Sequence, residues 1–144
     1  MNQLYKYTQH FAKQEFTKHN LEFSQNKSGR EDVDFILKTN TGNLHEIYLQ
    51  TINLNKERSV KILKQDLGEP KNNLWVALVL ILDTEPVNFY LIPSKTVTKP
   101  DDFVFIENEV SSFPQLSNWE IKVFKNGMQK LNAFSLENML DKLK

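Results

Sequence analysis

The chain contains no cysteine. Disulfides, thiolate nucleophiles and the cysteine-rich zinc sites are therefore excluded. Glycine is scarce, four residues spread through 144, and no glycine-rich phosphate loop can be assembled from them. Charge of one sign is lacking as well: 18 basic and 18 acidic residues cancel to a formal net charge of zero. A general nucleic-acid binder carries a basic excess, so any such contact here has to come from a local patch. Arginine is nearly absent, with Arg30 and Arg58 standing against 16 lysines. Its planar fork suits phosphate and guanine better than the point charge of lysine, so strong base-specific readout is not expected. Long hydrophobic runs are missing too. The longest, Leu74 to Leu82, has nine residues, less than half of the roughly 20 that a membrane helix needs. Met1 to Lys18 is polar and aromatic, with no apolar leader core. These absences predict a soluble cytoplasmic protein with no membrane partner.

What is present is enough for one packed domain: 40% hydrophobic and 11% aromatic residues bury a core and argue against disorder. Leu4, Tyr7, Thr8, Phe11, Ala12, Glu15, Phe16 and His19 recur at helical spacing, predicting an amphipathic helix over Gln3 to His19. Leu21 to Gln25 alternates as a short edge strand, and Asn26 to Arg30 reads as a polar loop. Val33 to Lys38 and Leu44 to Ile52 read as strands joined by a hairpin turn at Asn40 to Asn43. Asn55 is placed to cap a helix over Lys56 to Leu67, stopped by Gly68 and Pro70. Leu74 to Leu82 is continuously apolar, as expected of a central strand buried on both faces. Asp83 to Pro86 reads as a turn and Val87 to Ile92 as a strand. Phe103 to Ile106 and Trp119 to Phe124 follow as further strands, with an exposed loop over Asn108 to Ser117. Ser135 is an N-cap for a last helix ending near Leu143. The order predicts an α/β fold, a three-layer αβα sandwich around a mixed central sheet.

The segments Asp34-Phe35-Ile36-Leu37, Ile47-Tyr48-Leu49-Gln50-Thr51 and Tyr90-Leu91-Ile92-Pro93-Ser94 carry a resemblance. Together with the element order, they resemble the PD-(D/E)xK, restriction-endonuclease-like superfamily. The resemblance is to small bacterial members with a D-[IVL]-x-[IVL] strand, a turn, I-Q-V-K-T, and a later strand ending in I-P-S. It spans Leu4 to Val97, implying a nuclease-like core over residues 1–97 and a C-terminal strand and helix extension over 98–144 of a single domain. In such a site two acidic groups on adjacent strands hold a divalent metal that lowers the pKa of an attacking water. A lysine two residues beyond the second acid, on the same strand face, offsets developing charge.

Carried onto this chain, the resemblance puts Asp34 at the first acid, Tyr48 at the second and Gln50 at the lysine. A neutral phenol is not an anionic ligand and an amide carries no charge. One carboxylate is a poor hold on magnesium. The catalytic motif is therefore degenerate, and the expected function is a non-catalytic binding or regulatory module without cofactor, its ligand nucleic acid or protein. One alternative is a metal-dependent nuclease with a relocated site. That site would be built from Asp34 and Glu15 as metal ligands for Mg2+ or Mn2+, with charge from Lys56, Lys61 or Lys64. Glu46 shares the face of Tyr48 and Gln50 but lies about 7 Å along the strand, too far to replace Tyr48. A second alternative is a homodimeric interaction subunit that associates through Phe103, Phe105, Phe113 and Trp119. His10, His19 and His45 have no metal-ligand spacing.

Overall fold

The computed structural model describes residues 3–25 and 35–143. The expected Asn26 to Arg30 loop, Val33 and Asp34 lie outside the described residues. The first element is helix α1 (Gln3–Lys18), which buries Thr8, Ala12 and Phe16 at one-turn spacing. Strands β1 (Glu22–Gln25), β2 (Phe35–Lys38) and β3 (Leu44–Asn53) follow and pair antiparallel in sequence order. The β2–β3 turn places Gly42 at φ 92°, a conformation open to glycine and costly for other residues.

The next segment departs from the expected helix over Lys56 to Leu67. It forms a strand, β4 (Ser59–Leu63), and then a single turn of helix, α2 (Lys64–Leu67), ended by Gly68 at φ 75°. Val60, Leu63 and Leu67 fit a helical period, but Val60 and Ile62 also alternate. A distant partner decides between the two: β4 pairs antiparallel with β8 (Asn118–Lys122), setting Val60 against Ile121 and Ile62 against Trp119. Two β-branched residues on a half-buried surface gain more from that sheet than from a short helix. Asn55 does not cap a helix. Its side-chain amide donates to Asp83 Oδ1 at 3.0 Å and its Oδ1 accepts from the Asp83 backbone N–H at 2.7 Å, tying this loop to the next hairpin.

That hairpin joins β5 (Leu74–Leu82) to β6 (Glu85–Pro93). The turn residues Asp83 and Thr84 have φ of 51° and 63°, the twist that two-residue hairpins require. Val87 is the extra residue where pairing jumps from Leu80–Asn88 to Ile81–Pro86, and this bulge accommodates Pro86 on an edge strand. β5 runs parallel to β3 and antiparallel to β6, giving a mixed five-stranded sheet of order β1-β2-β3-β5-β6. α3 (Ser94–Val97), β7 (Phe105–Asn108), α4 (Met128–Asn132) and α5 (Leu136–Leu143) complete the chain. β4, β8 and β7 form a second, antiparallel sheet. Within residues 109–117 only a short 3-10 turn, Pro114–Leu116, is regular.

β5 is buried from Leu74 to Ile81 because both faces of the sheet are covered. Its odd-numbered residues, Trp75, Ala77, Val79 and Ile81, join Ile47, Leu49, Phe16 and the α5 residues Leu136, Met139 and Leu143 in one core. Its even-numbered residues, Val76, Leu78 and Leu80, join Tyr48, Ile52, Ile62, Phe105, Ile121 and Leu131 in the other. Helices α1 and α5 thus cover one face, and the small sheet with the short helices covers the other. The expected last helix and its Ser135 cap are present, the Ser135 hydroxyl accepting from the Asn138 N–H at 3.4 Å. Of the aromatics proposed for dimerisation, Phe105 is fully buried and Trp119 is half-buried beneath the Lys64 ammonium, 4.6 Å from its ring. Only Phe103 and Phe113 are exposed. No helix among the described residues is long and apolar enough to cross a membrane.

Candidate functional site

Strand β3 decides what the motif positions can do. Its alternation sends Ile47 and Leu49 toward α1 and sends Tyr48 and Ile52 into the opposite core. Tyr48 is 4% exposed and lies beside Val76 of β5, in the core that also holds Ile62, Tyr90 and Ile92. Residue 48, which the resemblance sets at the second acid, is therefore a core position, and a carboxylate there would be taken out of bulk water. Gln50 has the same parity and lies beside Leu78, half-buried. Its side-chain N–H donates to the Leu49 carbonyl at 2.9 Å. The amide thus satisfies its own strand, where a lysine would present a cation.

Asp34 lies outside the described residues. The residue that follows it, Phe35, pairs with Ile47, so β2 begins beside the residue preceding Tyr48. Glu15 is on α1 and forms an ion pair with Lys18 at 2.7 Å. Because α1 covers the Ile47–Leu49 face, Glu15 belongs to the layer across the sheet from Tyr48. Glu46 pairs with Lys71 at 2.8 Å near the start of β3. The lysines offered as replacement cations do not share a helix. Lys61 is on β4, and Lys64 bonds Glu107 and Glu109, which hold its ammonium further toward the charged form. No three His, Asp or Glu side chains among the described residues gather into a group able to hold a metal.

A cleft of about 550 Å³ opens at the C-terminal end of β3. Leu4 and Tyr5 from the first turn of α1 line one side, Gln50, Thr51 and Asn53 line the floor, and Lys56 and Glu57 close it. The Thr51 hydroxyl donates to Thr8 Oγ1 at 2.9 Å, and the Thr8 hydroxyl donates to the Leu4 carbonyl at 2.9 Å, fixing the helix against the strand. The opening lies outside the carboxyl ends of the parallel pair β3 and β5, where open α/β sheets commonly bind ligands. Its groups are amides, hydroxyls, one ammonium and one carboxylate, suited to hydrogen bonding. Sequence reasoning named Gln50 and Lys56 but passed over Tyr5, Asn53 and Glu57, the last two because the expected helix from Lys56 hid the loop that closes the cleft. The Val60–Ile62 alternation was the available signal.

Two other polar groups are structural. Ser94, fully buried, accepts from the Lys71 N–H at 3.0 Å and donates to the Lys71 carbonyl at 2.9 Å. The Pro93-Ser94 segment therefore clamps the loop leading into β5. His45 is buried, with Nδ1 accepting from Trp75 Nε1–H at 3.0 Å and Nε2 2.8 Å from the Leu143 carbonyl. The donor on one side and the acceptor on the other assign the neutral Nε2–H tautomer.

Neither a scan against protein-family models nor a search of curated proteins gives a match. Among solved structures, the chain is similar to the Holliday junction resolvase Hjc of the archaeal hyperthermophile Archaeoglobus fulgidus, with a TM-score of 0.51 over 81% of this chain and 82% of that one. Sequence identity is 12%, so the likeness is one of fold. The mixed five-stranded sheet with its covering helices is a restriction-endonuclease-like fold.

Proposed function

We propose that this chain is a restriction-endonuclease-like protein that has given up metal-dependent hydrolysis and acts as a binding or regulatory module. The observation that carries the proposal is the state of β3. Tyr48, which the resemblance sets at the second acid, is buried in the core, and Gln50, which it sets at the lysine, has its amide held by its own strand. A divalent ion would find Asp34 as the one motif carboxylate, and magnesium demands more oxygen ligands than that. The relocated-site alternative is weakened by Glu15, which is paired with Lys18 on the layer across the sheet. The cleft at the end of β3 is then the natural ligand-binding recess, with Gln50, Asn53 and Lys56 as its polar contacts.

Titration calorimetry with Mn2+ tests this reading. The expected result is no saturable heat at millimolar metal. A stoichiometric binding event that disappears in Asp34→Ala would overturn it.

A further inference from the structure

Helix α1 has a face that the fold does not use. Lys6, Tyr7, His10, Lys13, Gln14, Thr17 and Lys18 are exposed along it. The single carboxylate of the helix, Glu15, is half-buried and neutralised by Lys18. In a chain with no net charge, this face is cationic and rich in neutral donors. It is also concave. A recess of about 430 Å³ runs between Lys6, Gln9, His10 and Lys13 of α1 and Ser24 and Gln25 of the edge strand β1. A second, of about 570 Å³, shares His10 and Lys13 and continues to Lys18. The two form one furrow, about 18 Å long from Lys6 to Lys18 at the helical rise.

We propose that this furrow binds single-stranded nucleic acid, with Lys6 and Lys13 neutralising phosphates and the exposed ring of Tyr7, beside the furrow on the same helix, stacking on a base. Charge complementarity selects a polyanion. The alternation of lysines with the Tyr7 and His10 rings selects one with flat, unpaired bases. The absence of arginine from α1 fits a ligand held without base-specific readout. The furrow lies on the α1 side of the sheet, across from Tyr48, so the proposal stands or falls independently of the catalytic question.

The test is fluorescence anisotropy of the full chain with labelled oligo(dT) of about 20 nucleotides, in EDTA so that cleavage plays no part. Binding is expected at low salt. In Lys6→Glu with Lys13→Glu, the slope of log K against log salt should shrink by about 1.4, from about 0.7 for each phosphate contact on a single strand. Tyr7→Ala should weaken binding about tenfold through lost stacking. The paired change Lys122→Glu with Lys125→Glu, on the opposite layer, should leave both affinity and slope unchanged. Far-UV circular dichroism should match wild type in every variant, since all five side chains are exposed. Three results would each overturn the proposal: no binding at low salt, a slope indifferent to charge reversal on α1, or equal competition by polyglutamate or by duplex DNA. Competition by polyglutamate would instead make the furrow a docking surface for an acidic peptide.

Discussion

Asp101 offers a sharp energetic test, because one carboxylate organises the turn that carries the chain from the central sheet into β7. Its Oδ1 accepts from the backbone N–H groups of Phe103, Val104 and Phe105 at 2.9, 3.1 and 2.9 Å. Its Oδ2 accepts from the Lys130 ammonium of α4. Burial alone would raise this carboxyl. The Lys130 ammonium and the Phe105 and Phe103 N–H groups overcome it and hold the pKa at about 2, below the ordinary 3.8. At about 1.36 kcal/mol per pH unit, that difference corresponds to about 2.4 kcal/mol at neutral pH. The side chain is 23% exposed, so solvent screening brings the expectation nearer about 2 kcal/mol.

The folded carboxyl titrates below the unfolded one, so its contribution is complete above 3.8 and is lost as pH falls toward about 2. Asp101→Asn keeps an acceptor for the three N–H groups and removes the charge. Urea denaturation should show the variant about 2 kcal/mol less stable at neutral pH, with the gap narrowing to a few tenths as pH approaches 2. A gap that stays constant across that range, or no gap at neutral pH, would refute the assignment.

Other outcomes follow from the same packing. Tyr48→Glu should cost at least about 3 kcal/mol in urea denaturation, because it takes a carboxylate out of water at a buried core position; a near-neutral change would mean that the position is wet and open to a metal. Tyr90 is buried, with no hydrogen-bond partner for its hydroxyl among the described residues, and burial raises its pKa. Tyr90→Phe should therefore be neutral or stabilising by up to about 1 kcal/mol in thermal melts, and a clear loss of stability would reveal a missing partner. His45→Ala strands the Trp75 N–H and the Leu143 carbonyl together and should cost about 2 to 4 kcal/mol, whereas adding Trp75→Phe should recover part of that loss in a double-mutant cycle.

The strands around the motif were legible because their period is unambiguous. The unbroken apolar run of Leu74–Leu82 could only be an inner strand, and the Gly42 turn between two alternating segments could only be a hairpin. The α1 face was legible from one-turn spacing at Thr8, Ala12 and Phe16, whereas Tyr7 and His19, expected on it, are exposed. β4 was not, because Val60, Leu63 and Leu67 satisfy a helical period while the deciding partner, β8, lies some 60 residues further on. That misreading removed Asn53 and Glu57 from view and put Lys56, Lys61 and Lys64 on a helix face that does not form. At the site, the sequence itself showed that residues 48 and 50 are a tyrosine and a glutamine rather than an acid and a lysine. Whether Tyr48 faced a wet cleft or a dry core depended on the small second sheet covering that face, which rests on pairings distant in sequence. The same distant pairings bury Phe105 and half-bury Trp119.

The central claim is that the fold has outlived its hydrolytic chemistry, and a cleavage assay tests it most directly. Purified protein is incubated with supercoiled plasmid and with branched DNA in Mg2+ and then in Mn2+, beside an Asp34→Ala preparation. The account predicts that wild type and variant leave both substrates equally intact. Metal-dependent cleavage by the wild type, abolished in Asp34→Ala, would contradict it.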